Sequence, residues 1–411
     1  MKKIIRYMQD QALQASEQKH SGSAYLSSRA TEPQQGELHH REHTSYHLSR
    51  SGHPSSASHS FPAQVSGGGA YQGNGDPRER RTPSPLSDKI QREISRHQYA
   101  QDSILQSYEL YLPDQESFHP SRTQDSKFWI VYVHGGYFRD DSVTAASFHP
   151  ALSILTKAPK LHLQYLMKNI EEQENIIPYV AGYASINYRL SPRPTKSPQD
   201  TLTTPAYELR NAAWPDHIHD VLAAIAHLQR KHGFGQRYLL VGHSVGATMA
   251  LLSTLASGKT FTTRADSELL PKIEPPMAVL GVSGIYDFAR LHHSFPVYTE
   301  VTENAIHDPK DVALASPTSY SLADYGETWA QRGTQKRVLI LAHSRDDGMV
   351  DWKQVEAMEA VFAPNAQGAQ TNFAVQVVEM KGQHNNIWGQ GTELARVIRV
   401  GLGALRRLDG L

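Results

Sequence analysis

The chain has no cysteine among its 411 residues. Disulfides, thiolate-bound metals and a cysteine nucleophile are therefore excluded. It also lacks an excess of either charge, since 41 Lys and Arg balance 41 Asp and Glu. Nothing in that balance points to nucleic acid or to an anionic membrane surface. No apolar run approaches the roughly 20 residues that a membrane span requires. The first residues, MKKIIRYMQDQALQ, carry two lysines but no apolar secretory core, because Arg6 and Asp10 interrupt it. The expectation is a soluble, cytoplasmic protein that binds neither nucleic acid nor membrane.

Residues 1–86 also lack the apolar side chains needed to offset their ordering entropy. From about Glu17 to Pro85 the segment is mostly Ser, Gly, Gln, His, Pro and Arg, as in HPSSASHS and VSGGGAYQGNGDPRERRTPSP. Its histidines His39, His40, His43 and His47 lie close together. The surrounding composition reads as a solvated low-complexity extension rather than a metal tract. A single catalytic domain is expected over residues 87–411, with order beginning near QYAQDSILQSYELYLP.

That region alternates between two periodicities. FWIVYVHGG, AGYASINYRLSP, YLLVGH, MAVLGVSGIYD, RVLILAHS and NFAVQVVEM read as strands, the inner ones being continuous apolar runs. HPALSIL, WPDHIHDVLAAIAHLQRKHGFG, VDWKQVEAMEAVF and TELARVIRVGLGAL read as helices. In the second, Ile218, Val221, Leu222, Ile225 and Leu228 share one face, Pro215 and Asp216 suit its start, and Gly233 suits its end. Alternating strands and helices predict an α/β fold with a mainly parallel central sheet and helices on both faces.

One stretch carries chemistry. In YLLVGHSVGATMALL a serine stands where a buried strand gives way to a helix, with glycine two residues to either side. G-x-S-x-G in that setting is the nucleophile elbow: the glycines permit the sharp turn, and Ser244 is lifted above the sheet edge. A serine hydroxyl needs a base to take its proton and an acid to fix the tautomer of that base, in the chain order Ser, acid, His. RVLILAHSRDDGMVD places Asp346 and Asp347 just beyond a strand, and VQVVEMKGQHNNIW places His384 beyond the last one. DGMVD resembles a pattern of many hydrolases, an acid followed after two residues by Val and a helix-starting residue, which implies Asp347 with Asp351 near a helix start; Asp346 is the alternative and Asp287 in SGIYDF a distant third. An oxyanion needs N–H donors from the residue after the nucleophile and from a Gly-rich loop after an earlier strand. These are Val245 and either Gly135 or Gly136 in VYVHGGYFRDD, with His134 supporting the loop.

SILQSYELYLP, HGGYFRD, INYRLSP, GHSVGA, GVSGIYDF, HSRDDGMVD and GQHNNIW together resemble the fungal kynurenine formamidase (arylformamidase) family of the α/β-hydrolase superfamily. The resemblance spans roughly residues 95–405. Phe138 stands where that family usually has Trp. The resemblance implies hydrolysis of N-formyl-L-kynurenine to L-kynurenine and formate, in tryptophan breakdown towards NAD, with no metal and no organic cofactor. Tyr137, Phe138 and Trp388 are candidates to stack on the aniline ring of such a substrate, and equally fit core packing. The only expected partner is the small-molecule substrate, and association as a homodimer is left open.

Overall fold

The eight strands are β1 (Ser95–Gln98), β2 (Ser107–Tyr111), β3 (Phe128–Val133), β4 (Val180–Ile186), β5 (Tyr238–His243), β6 (Ala278–Val282), β7 (Arg337–Ser344) and β8 (Phe373–Met380). The computed structural model describes residues 88–113, 127–157, 176–263, 270–363 and 372–410. The low-complexity extension and its histidine cluster lie outside the described residues.

The strands form one sheet in the order β1-β2-β4-β3-β5-β6-β7-β8. From β4 to β8 all neighbours run parallel, whereas β2 is antiparallel to β4 and β1 antiparallel to β2. Every residue of β3, β4, β5, β6 and β7 is buried. Burial on both faces accounts for their largely apolar character, interrupted by Ser185, His243, Arg337, His343 and Ser344.

Alternate side chains serve opposite faces. Ile130 and Tyr132 of β3, Leu239 and Val241 of β5, and Val338 and Ile340 of β7 share one core cluster with Leu394, Ile398 and Leu402. The last three belong to the C-terminal helix Thr392–Leu408. Trp129, one residue out of step on β3, stacks at 4.9 Å on Phe234 and lies 4.7 Å from His232. His232 ends the helix Asp216–His232, which Gly233 closes at φ +67. Helices thus cover both faces, and the molecule has the α/β-hydrolase fold. Among the described residues no helix is long and apolar enough to cross a membrane.

Four details depart from the sequence reading. Order starts earlier, with a helix at Asp88–Glu93 and β1. β4 ends at Ile186 rather than running on to Pro192; the N–H of Asn187 still donates to Ser107 O (2.9 Å), and its amide oxygen accepts from the N–H of Ala145 (2.7 Å). The connection from β6 to β7 carries the helices Phe288–Ser294 and Tyr298–Ala305, followed by Pro309–Leu314 and Leu322–Thr328. His384 opens a helix, His384–Gln390, that the sequence reading did not include.

Candidate active site

β5 delivers Ser244 to the carboxyl end of the sheet, directly before the helix Val245–Ser253. Its backbone is at φ +56 and ψ −124, a left-handed conformation that a side-chain-bearing residue adopts only when its surroundings impose it. Those surroundings are visible. The Ser244 N–H donates to Val282 O at 2.9 Å, and the N–H of Ala247 returns to Ser244 O at 2.9 Å. Gly242 has no room for a β-carbon because the Gly246 carbonyl lies against it, and Gly246 has none because the carbonyls of Val133 and His134 lie against it. Both glycines of G-x-S-x-G are thus demanded by close backbone approach. Val245 opens the helix, so its N–H has no acceptor within that helix.

The loop after β3 lies against this elbow. A β-carbon on Gly135 would stand 3.0 Å from Ser244 Cβ and 2.9 Å from His243 Nδ1. The next three residues, Gly136, Tyr137 and Phe138, all have positive φ, at 94°, 49° and 65°. Among the described residues the N–H groups of Gly135 and Gly136 donate to no backbone carbonyl. The loop is closed behind them by the N–H groups of Arg139 (3.1 Å) and Asp140 (2.8 Å), which donate to Gly136 O, and by the Asp140–Arg193 ion pair at 2.6 Å.

β7 and the end of β8 bring Asp347 and His384 together. His384 Nδ1 is 2.8 Å from Asp347 Oδ2, and both residues are buried. The other oxygen, Oδ1, accepts from the N–H groups of Met349 (2.9 Å) and Val350 (3.0 Å). Burial alone would raise the pKa of this carboxyl. The attraction and hydrogen bond of His384, the nearby His343 and the Val350 N–H outweigh it and hold the group well below the usual carboxylate range. Asp346 is exposed, its N–H donating to Ser344 Oγ at 3.2 Å. Asp287 caps the helix Phe288–Ser294, accepting from the N–H of Arg290 at 2.9 Å.

Sequence reasoning missed two supporting histidines. His243, the x of G-H-S, donates from Nε2 to the backbone carbonyl of His384 (3.3 Å), with the two rings 4.6 Å apart. β5 therefore holds His384 in place through the residue before Ser244. His343 donates from Nε2 to Val350 O at 2.9 Å, and the same nitrogen is 3.9 Å from Asp347 Oδ2. Burial lowers the pKa of both histidines, so they remain neutral dipoles beside the Asp347–His384 pair. Each stands next to a strand end, but nothing in GHS or AHS distinguishes support from chemistry.

The three aromatic candidates occupy different settings. Tyr137 forms a wall near the elbow, stacked at 4.9 Å and 9° on Tyr298 of the β6–β7 connection. Its hydroxyl pairs with Thr302 Oγ1 at 2.8 Å. Phe138 is fully buried among Trp214, His217 and Phe288, which leaves its ring no free face. Trp388 is half-buried, packs against the main core and donates to Asn385 Oδ1 at 3.3 Å. Tyr298, absent from the sequence candidates, belongs to the same wall. Among the described residues no group of three or more His, Asp or Glu is arranged to hold a metal ion.

Buried neutral histidines have a consequence for acid stability. Burial lowers the pKa of His134 to about 4 and, helped by Arg189, that of His217 to about 3, against 6.5 when unfolded. The unfolded chain binds protons more readily at these sites. Their contribution is thus fully present above pH 6.5 and is lost as pH falls towards 4 and 3. At pH 5 the loss is on the order of 2 kcal/mol each. Thermal melts at pH 7.5 and pH 5.0 should differ by on the order of 10 °C. A melting temperature constant across that window would sink this account.

No family model matches the chain. Similar curated proteins include kynurenine formamidase avaC of Aspergillus versicolor, 29% identical over 286 residues, covering 64% of this chain and 84% of that protein. Another is the kynurenine formamidase-like hydrolase fscH of Fusarium equiseti, 28% identical over 318 residues, 75% of this chain and 92% of that protein. Among solved structures, a truncated carbohydrate esterase from gut microbiota is similar with a TM-score of 0.47 and 17% identity, covering 78% of this chain and all of that one.

Proposed function

We propose that this hydrolase of the α/β-hydrolase fold is a serine hydrolase that cleaves N-formyl-L-kynurenine to L-kynurenine and formate, a step of tryptophan breakdown towards NAD. The observation that carries the reading is the buried 2.8 Å Asp347–His384 bond, held by His243 beside a left-handed Ser244. The names of the relatives supply the substrate.

His384, its Nδ1–H held by Asp347, offers Nε2 as the base. Ser244 Oγ gives up its proton to that nitrogen and attacks the formyl carbon. The resulting tetrahedral oxyanion takes hydrogen bonds from the N–H of Val245 and from Gly135 or Gly136. The imidazolium then donates its proton to the departing aryl amine, leaving Ser244 formylated. A water activated by the same nitrogen attacks the formyl ester, and formate leaves as Ser244 recovers its proton.

The reading sets an order of substrates. Formyl is the smallest acyl group and needs little room beside Ser244. Three more carbons, as in butyryl, would overpack a site of that size by about 1–3 kcal/mol, a loss of roughly 5- to 150-fold in rate. Values of kcat/KM for N-formylkynurenine, N-acetylkynurenine and a short-chain ester panel test this. The formyl compound should lead. Equal values for the two amides, or a preference for butyryl esters over both, would leave a general carboxylesterase instead.

A further inference from the structure

Two carbonyls behind the Gly-rich loop share one hydroxyl. Tyr188 Oη donates to Gly135 O at 2.9 Å and lies 3.2 Å from His134 O. Gly135 O also accepts from His134 Nδ1 at 2.8 Å, and the His134 ring stacks on that of Tyr188 at 4.3 Å and 15°. Both side chains are buried, Tyr188 completely. No step of the proposed reaction uses either.

A trans peptide unit points its C=O and the following N–H in opposite directions. Fixing His134 O therefore fixes the Gly135 N–H, and fixing Gly135 O fixes the Gly136 N–H. We propose that Tyr188, assisted by His134, is a positioning residue that aims the oxyanion-binding N–H groups of Gly135 and Gly136. The inference rests on the serine-hydrolase reading above.

The loop requires such a brace. A glycine pair has little intrinsic preference for one peptide orientation, and the residues after it, Tyr137 and Phe138, are held at positive φ. An unbraced peptide could turn its carbonyl towards the developing oxyanion, which would repel it. Burial holds the Tyr188 phenol well above its ordinary pKa, so it stays a donor at any working pH. A phenylalanine at 188 would keep the ring stacked on His134 and remove only the donor.

The test uses Tyr188→Phe in the full-length chain. Loss of a direct oxyanion donor lowers kcat by about 10²–10³-fold, and an indirect support should give roughly 10- to 100-fold by the same measure. KM and melting temperature should stay near those of the parent. Affinity for a boronic acid that forms a tetrahedral adduct on serine should fall by the same factor as kcat, while inhibition by the planar product should not change. An unchanged kcat, a kcat loss without matching loss of boronate affinity, or a variant that melts many degrees lower would overturn the inference. If no formamide is hydrolysed, the same comparison on p-nitrophenyl acetate decides it, since an oxyanion forms in any acyl transfer. If a fluorophosphonate fails to label Ser244 in the parent, the inference falls together with the reading beneath it.

Discussion

Replacing Ser244 by alanine, or His384 by alanine, is expected to lower kcat by on the order of 10⁶-fold, with nearly the same loss for each and for the pair. The members of such a unit are useless singly. Without His384 the hydroxyl keeps its proton, and without the hydroxyl the imidazole has nothing to activate. The two losses must therefore fail to add, which separates a shared mechanism from two independent injuries. Folding is controlled within the same experiment. Alanine at 244 is as strained at φ +56 as serine. Glycine there is not, so Ser244→Gly should be equally inactive yet more stable than Ser244→Ala by about 1–3 kcal/mol. Single-turnover kinetics with denaturant melts would check both. A His384→Ala protein that keeps a few per cent of parental kcat would exclude His384 as the base.

Changing Asp347 to asparagine should lower kcat by on the order of 10⁴-fold, and the same change at Asp346 should do little. Asparagine can still offer an acceptor to the N–H groups of Met349 and Val350, which now bind Oδ1. What it cannot supply is a second acceptor, because the other end of the amide is an NH2 that only donates. Turned towards His384, that group favours the tautomer protonated on Nε2, the nitrogen that must be bare to receive the serine proton. Asp346 is exposed and carries no contact with His384. Measuring kcat for both variants decides between adjacent carboxylates, and a severe loss at Asp346 would overturn the assignment.

The two aspartates show where sequence stops being legible. Both follow a strand, and the spacing favours one, but burial and the 2.8 Å bond belong to the turn after β7. YLLVGH and RVLILAHS are readable because strands buried on both faces are mostly apolar, with polar residues only at their ends. β1, SRHQ, is not, because an edge strand that is mostly exposed has no apolar pattern to show. HNNIWGQ shows no helix in the sequence, since seven mixed residues are too few to display a helical period. The left-handed run through Tyr137 and Phe138 left no trace either. Nothing in those side chains asks for positive φ, and it is imposed by neighbours distant in the chain. Phe138 was a candidate for stacking because of its place after HGG. Its complete burial depends on Trp214 and His217, which are far off in sequence.

The position of β8 in the sheet determines which part of the site fails first. β5, which carries Ser244, is hydrogen-bonded on both sides, to β3 and β6. Among the described residues β8 pairs with β7 alone, six of its eight residues are partly buried or exposed, and His384 follows its end by four residues. Opening free energies within a protein range from near zero at its margins to the global value at its centre. His384 therefore follows the edge of the sheet, tied to its middle by the His243 bond to its carbonyl, while Ser244 sits at the more strongly held middle. A brief parting of β8 from β7 would separate His384 from Asp347 while leaving the elbow assembled. On warming, such a molecule would fall silent before it melts, and on cooling it would recover without having to refold.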